Sequence, residues 1–331
     1  MDISIIIVNY QSWKPLQNCL ESLLLIDDSE IAFEVIVIDN FSNDEQFGNF
    51  ETLFKDYKFI ENNINSGYSN GCNIGAKEAK GDYFLFLNPD TVISETALKT
   101  LFYTYKNNSE IGILSCLQVN KKNNFFNQKK IFPTFLQLFT VTKYLSKVVF
   151  QIKRDSFFNA NKELFYPDWT TGSLIFMSRN WFEKAGGWNE DYWLYYEDVD
   201  ICKKVKEQKG RIAVTNKTTI FHEHGGSSRI NFETEYSSRT EVIISKHVYI
   251  KNNFSSLSKI PAHTFLILFT LLEKIILSLL SLLLFSNLKI KTNRYILKNL
   301  CLYYSNAISQ QTWLSQRSVN YQKTNYDKWH Y

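Results

Sequence analysis

The segment Ile3-Ser4-Ile5-Ile6-Ile7-Val8 constrains the fold more than any other feature of the chain. Its apolar residues follow one another with almost no polar alternation. A strand with one wet face would alternate, so this run needs cover on both faces. Similar runs return at Val35-Ile36-Val37-Ile38 and Tyr83-Phe84-Leu85-Phe86-Leu87. Between them lie Leu16, Leu20, Leu23 and Leu24 at helical spacing, a short strand expected near Tyr57–Ile60, and a helix expected over Ser69–Lys80. Another helix is predicted from Ser94 as its N-cap, then a fifth strand over Gly112–Val119. Strands and helices alternating in this way predict an α/β fold, with a Rossmann-like, mostly parallel central sheet and helices on both faces. Ligands of such sheets bind beyond the carboxyl ends of the strands. Residues 120–165 break the rhythm and carry no assignable pattern. Order resumes with a strand over Thr170–Met177, a helix over Glu197–Gln208, and strand-like Arg211–Thr215 and Thr218–Phe221.

Several strand ends carry chemistry. Asp39-Asn40 follows the second run, where a carboxylate and an amide either read a nucleoside or cap a helix. The polar loop Asn62–Asn73, which includes Asn65, Gly67 and Asn73, suits a ribose or phosphate lip. It has neither GxGxxG nor GxxxxGK[ST], which counts against a dinucleotide enzyme or a P-loop ATPase. Asn88-Pro89-Asp90 ends the fourth strand. It is either a turn or a carboxylate facing the ligand crevice, suited to Mg²⁺ or Mn²⁺ shared with a diphosphate. Glu197-Asp198-Val199-Asp200 crowds three carboxylates at a helix start. There the helix dipole stabilises them, or their mutual repulsion poises one as a general base. In Phe221-His222-Glu223-His224, an imidazole directly after a strand is either structural or a metal ligand. The five cysteines are scattered without a CxxC, which argues against a disulfide framework and a structural zinc site.

In this order, the stretches Ser4–Tyr10 (SIIIVNY), Val35–Asn40 (VIVIDN), Asn65–Asn73 (NSGYSNGCN), Gly81–Asp90 (GDYFLFLNPD), Thr171–Ser178 (TGSLIFMS), Gly186–Asp200 (GGWNEDYWLYYEDVD) and Phe221–Ser227 (FHEHGGS) resemble glycosyltransferase family 2. This is the family of inverting enzymes of GT-A fold, and the likeness is to its rhamnosyltransferase-like branch, over about residues 1–230. The resemblance implies a GT-A domain over 1–230 that moves a sugar from a nucleotide-sugar donor, dTDP-rhamnose first and a UDP-hexose next. The implied acceptor is a glycan or lipid-linked hydroxyl. It implies Asp198 as catalytic base with Glu197 beside it, Asp39 as base reader near Asn9 and Asn40, and Asn65, Gly67 and Asn73 at the ribose–phosphate lip. Asp90 matches the last Asp of the metal-binding DXD motif, whose first Asp is Asn88 here. His222, ahead of His224, would complete the site of a divalent metal, Mg or Mn. Trp169, Gly172, Trp188 and Trp193 would lie toward the acceptor. Asn88 also leaves open a catalytically degenerate partner subunit.

Residues 246–331 hold eleven Lys/Arg and two acids, a net charge of +9, so the +4 of the whole chain leaves −5 on residues 1–245. The 22 residues Thr264–Phe285 are apolar except for Glu273-Lys274 and a stripe of Thr270, Lys274, Ser278 and Ser281. A basic, apolar helical region over 231–331 suggests an anionic partner. Its charges interleave with aliphatic runs, which disfavours nucleic acid and favours a peripheral position on the cytoplasmic face of the membrane. Whether 264–285 lies on, spans or avoids the bilayer stays open at this level.

Overall fold

The computed structural model describes residues 1–121, 130–138, 162–223, 225–227, 229–283 and 288–329. Most of 120–165, His224 and Leu284–Phe285 thus lie outside the described residues. The described parts of Met1–Phe132, Arg154–Asn189 and Glu197–Ser227 form one compact unit, and those of Pro133–Lys153, Glu190–Tyr196 and Ser228–Tyr331 a second.

The first unit is built on β1 (Ile3–Asn9), β2 (Phe33–Asp39), β3 (Lys58–Glu61), β4 (Tyr83–Leu87), β5 (Thr91–Val92), β6 (Ile111–Val119), β7 (Leu164–Phe165), β8 (Leu174–Ser178) and β9 (Arg211–His222). They form one sheet in the order β3-β2-β1-β4-β8-β6-β9-β5, with β7 on β9. β1 pairs in parallel with β2 and β4. β8 enters antiparallel between β4 and β6, so the parallel centre sits in a mixed sheet. The helices are α1 (Trp13–Leu24), α2 (Gln46–Leu53), α3 (Tyr68–Glu78), α4 (Glu95–Lys106), α5 (Arg179–Lys184) and α6 (Glu197–Glu207).

The apolar runs are explained by cover on both faces. Ile3, Ile5 and Ile7 pack with Leu16, Leu20 and Leu23 of α1, while Ile6 and Val8 pack with Cys72 and Ala76 of α3. Each such buried side chain stabilises the fold by about 1.5–3 kcal/mol. Ser4, the polar residue in the run, donates to Glu34 Oε1 at 2.6 Å and accepts from the Gly81 amide at 2.8 Å. Gly71 and Gly75 let α3 press against β1: a Cβ there would stand 2.7 Å from Val8 Cγ1 and 2.4 Å from Ile6 Cγ2.

Three elements differ from the sequence expectation. α2 was not anticipated, because Phe50 is its one buried residue and no apolar stripe marks it. The two strand-like pieces at 211–221 are one strand, whose register against β6 shifts at Cys116/Leu117. The strand expected from Thr170 starts only at Leu174; residues 171–173 make other contacts, described below.

The second unit holds α7 (Phe232–Asn253), α8 (Ser256–Leu283), α9 (Leu288–Ser309) and α10 (Val319–Trp329). A capping box between Asn231 and Thr234 starts α7. Ile243, Ile244, Ile296, Leu300, Tyr303, Tyr304 and Ala307 form its core. His247 and His263 meet through their Nδ1 atoms at 2.8 Å, with Trp313 stacked on both rings.

Candidate active site

The register of β1 against β2 places Asn9 opposite Asp39 at their carboxyl ends. Asn9 Nδ2 donates to Asp39 Oδ1 at 2.9 Å. Ser42 donates its hydroxyl to the same oxygen at 2.6 Å and its amide to Oδ2 at 2.8 Å. Burial raises the Asp39 pKa, and these donors oppose the rise. Asn40 holds the neighbouring lip. Its Nδ2 donates to Asn65 Oδ1 and the Gly67 carbonyl at 3.0 and 3.1 Å, and its Oδ1 accepts from Asn62. Gly67, at φ 89°, turns the chain into α3 in a conformation that favours glycine.

A second cluster gathers at the end of β4. β5 pairs Thr91 with His222 of β9, which brings Asp90 beside that imidazole. His222 Nε2 lies 3.4 Å from Asp90 Oδ1. The other ring nitrogen meets Gln118 Oε1 at 2.8 Å. The Gln118 amide nitrogen is engaged by Thr171 Oγ1 (3.1 Å) and Ser173 Oγ (2.8 Å). With the amide so oriented, His222 Nδ1 donates to Gln118 Oε1, and Nε2 is the nitrogen that faces Asp90. Asp90 Oδ1 is buried and makes no hydrogen bond among the described residues. A buried carboxylate oxygen without a hydrogen bond is stabilised by a cation. One carboxylate and one imidazole fit a divalent ion that keeps its remaining positions for water or ligand oxygens. Among the described residues, no group of three or more His, Cys, Asp or Glu gathers to enclose such an ion. Asn88 is half-buried beside them, and its side chain has no partner among the described residues.

The turn after His222 closes over Asp90. Ser227 donates its amide to Asp90 Oδ2 at 3.3 Å, and Gly226 donates its own to the Glu223 carbonyl. A Cβ on Gly226 would stand 3.0 Å from that carbonyl oxygen and 3.1 Å from Asp90 Cβ. The Gly226 amide is therefore used within the turn.

Glu197 and Asp198 open α6, directly after two non-glycine residues at positive φ, Tyr195 (69°) and Tyr196 (67°). That backbone is sparsely populated for tyrosine and marks local strain. Asp198 is half-buried; its Oδ2 accepts from the Gly172 amide at 3.1 Å and its Oδ1 from the Val199 amide at 2.8 Å. Burial raises its pKa, while the Lys130 cation and the amide donors pull it back. Glu197 is buried, its Oε2 has no hydrogen-bond partner among the described residues, and burial with the Asp198 charge holds its pKa well above the carboxylate range. The proton of the pair therefore rests on Glu197, and Asp198 is the one that ionises first.

Residues 171–173 stand between the two carboxylate centres. Gly172 holds Asp198, the Thr171 and Ser173 hydroxyls hold Gln118, and the Ser173 carbonyl accepts the Asn88 amide at 3.0 Å. These contacts replace the strand ladder expected there. Tyr68 donates its hydroxyl to the Gly172 carbonyl at 2.9 Å. Sequence reading missed Gln118, Tyr68, Lys130, Thr171 and Ser173 as site residues. Lys130 fell in the unassigned stretch, and a glutamine late in a strand carries no motif.

Two expected site residues have other roles. Trp188 is 2% exposed, edge-on to Tyr68 and Phe86, and has no ring face open to a sugar. Asn73 uses its amide to hold the Trp188 backbone, donating to the carbonyl at 2.9 Å and accepting from the amide at 3.0 Å, rather than lining the lip. Trp169 is half-buried, with Lys130 Nζ 4.2 Å from its ring centre and its indole N–H on the Ile131 carbonyl. Trp193 belongs to the second unit, where the Arg317 guanidinium covers its ring at 5.0 Å.

Residues 4–184 match the sequence profile of Glycosyl transferase family 2, over half of the chain. The low-salt glycan biosynthesis hexosyltransferase Agl10 of Haloferax volcanii is 27% identical over 242 residues, 71% of each chain. Rhamnosyltransferase WbbL of Escherichia coli (strain K12) is 23% identical over 189 residues, 56% of this chain and 70% of that one. In fold, the chain is similar to GalNAc-T7 solved with UDP, GalNAc and Mn²⁺, at a TM-score of 0.53 and 17% identity, over 67% of this chain and 43% of that one.

Proposed function

The chain belongs to glycosyl transferase family 2, and from that premise we propose that it transfers a sugar, with inversion, from a nucleotide-diphosphate donor to a hydroxyl of a bacterial cell-surface or lipid-linked glycan. Asp198 is the general base that takes the acceptor proton as the oxygen attacks the anomeric carbon. The Gly172 and Val199 amides fix the direction of its carboxylate. Glu197 remains protonated beside it. Asp39, with Asn9 and Asn40 behind it, faces the nucleoside, and Asn65 and Gly67 shape the lip over the ribose and phosphate. Asp90 and His222 are the residues that would hold a divalent metal, Mg²⁺ or Mn²⁺, with Asn88 as a neutral neighbour. When bound, such an ion offsets the charge of the departing diphosphate. Trp169 and Gly172 border the acceptor side.

The reading is carried by one observation: within a single unit, residues 171–173 tie the Asp198 carboxylate to the Asp90–His222 pair. A base and a separate anion-facing centre are what direct displacement requires. The likeness to a rhamnosyltransferase and a hexosyltransferase supports dTDP-rhamnose as donor, with a UDP-hexose next. We assign the catalytic domain to 1–230. The basic region 231–331 would hold it peripherally on the cytoplasmic face of the membrane.

Titrating dTDP, UDP and GDP with and without Mn²⁺ tests this. One diphosphate should bind preferentially and with metal dependence; binding of none by a folded sample overturns the reading. Gln118→Leu is expected to weaken the metal-dependent part of that binding by about 10–100-fold, as loss of the partner that orients a ligand imidazole does. An unaltered metal dependence in a variant of unchanged melting temperature would separate Gln118 from the site.

A further inference from the structure

Helix α8 is built inside out. Over Ser256–Ser281 it is long and apolar enough to cross a membrane by length and composition. Several of its polar side chains, however, point inward. His263 meets His247 of α7, Lys274 donates to Asn293 of α9 at 3.2 Å, and Ser281 accepts from Arg294 of α9. Thr270 and Ser281 are buried. Lys274 and Ser281 of the polar stripe thus find partners within the second unit.

The outward side is mostly apolar, with Ser256, Thr264 and the partly exposed Glu273 as its polar members. Leu257 is 92% exposed, Leu268 60%, Leu272 56% and Leu279 59%, with Ile260 and Ile276 also exposed. From Leu268 to Leu279 these positions recur at three- and four-residue intervals and form one face, which Thr264 separates from Leu257 and Ile260. A soluble helix would reverse this arrangement, and an apolar patch of this length marks an interaction surface.

We propose that this outward face of α8 lies flat in an anionic lipid surface, with the cations of α9 at the level of the headgroup phosphates. The proposal deepens the membrane-facing part of the function read above and rests on it only for the side of the membrane involved. Charge selects the occupant. α9 packs along α8 and presents Lys291 and Lys298 to solvent, and no carboxylate among the described residues pairs with either. A second copy on the same face would bring two regions of +9 together. Lipid with anionic headgroups accepts both the apolar face and the charge. A spanning orientation is disfavoured because Asn293 and Arg294 lie alongside α8 at Lys274 and Ser281 and would be carried into the bilayer with it.

Co-sedimentation of the full chain with vesicles of phosphatidylcholine alone, or with phosphatidylglycerol added, tests the proposal. Binding should be at least tenfold tighter with phosphatidylglycerol and should weaken as salt rises. Leu268→Glu with Leu272→Glu, at two exposed positions, should remove it by tenfold or more. Lys291→Gln with Lys298→Gln should abolish the preference for the anionic lipid. Nucleotide binding, measured on the same samples, reports separately on the transferase site. A wild-type protein that binds nucleotide yet stays in the supernatant overturns the proposal. So does a dimer, seen by light scattering, that the Leu268→Glu/Leu272→Glu variant dissociates.

Discussion

Asp198→Asn is expected to lower sugar transfer by about 10²–10⁴-fold, the usual contribution of a positioned general base. Nucleotide affinity should stay close to that of the wild type. The asparagine keeps the side-chain shape and can still accept one of the two amides, from Gly172 or Val199, so the substitution removes basicity at the loss of one hydrogen bond. The pH profile supplies a second reading. Burial raises the Asp198 pKa, and only the ionised carboxylate accepts a proton. Turnover should therefore fall on acidification at a pH above the ordinary carboxylate range, and nucleotide binding should not follow it. A parallel loss of transfer and nucleotide affinity in Asp198→Asn would make Asp198 a structural residue.

Asp90→Ala is expected to abolish the metal-dependent part of diphosphate binding, by about 100-fold or more, beyond what loss of an outer-shell partner costs. Asp90 Oδ1 lies 3.4 Å from His222 Nε2 without a hydrogen bond, so on the proposed reading the alanine deletes a metal ligand and breaks no hydrogen bond on that side. The Ser227 amide loses its acceptor as well, which loosens the 223–227 turn. Asp90→Asn separates the two effects, since it keeps an acceptor for Ser227 while removing the charge. Calorimetry with and without Mn²⁺ on both variants is the measurement. Full Mn²⁺-dependent affinity in Asp90→Asn would remove the carboxylate charge from the metal site.

The centre of the fold was legible because its strands are covered on both faces. Ile3–Val8 and Val35–Ile38 admit few other readings, and Ser94 caps its helix as expected, accepting from the Ala97 amide at 3.2 Å. The strand ends could be read too, because Asp39, Asp90 and His222 directly follow or close those runs. What escaped was set by pairing between distant segments. The antiparallel insertion of β8 joins residues 174–178 to 83–87, and no local pattern announces it. Gln118 is meaningful only once β6 lies beside β9 and brings it to His222. Trp188 shows the converse: an aromatic in a motif-rich stretch reads as a binding surface until its neighbours Tyr68 and Phe86 cover it. The polar stripe of α8 left several readings open for the same reason, since its periodicity locates a face but not what that face meets.

The three residues Thr171-Gly172-Ser173 touch both ends of the chemistry. A backbone shift of a few tenths of an ångström there would alter the Asp198 carboxylate and the Gln118–His222 pair together. Neighbours that share partners do not vary independently. On the proposed reading, donor preference and turnover are therefore linked traits in this chain. A lineage adapting to a new sugar nucleotide by changing the Asp90 side of the site would also disturb its base, and would need a compensating substitution on the acceptor side before either change became useful.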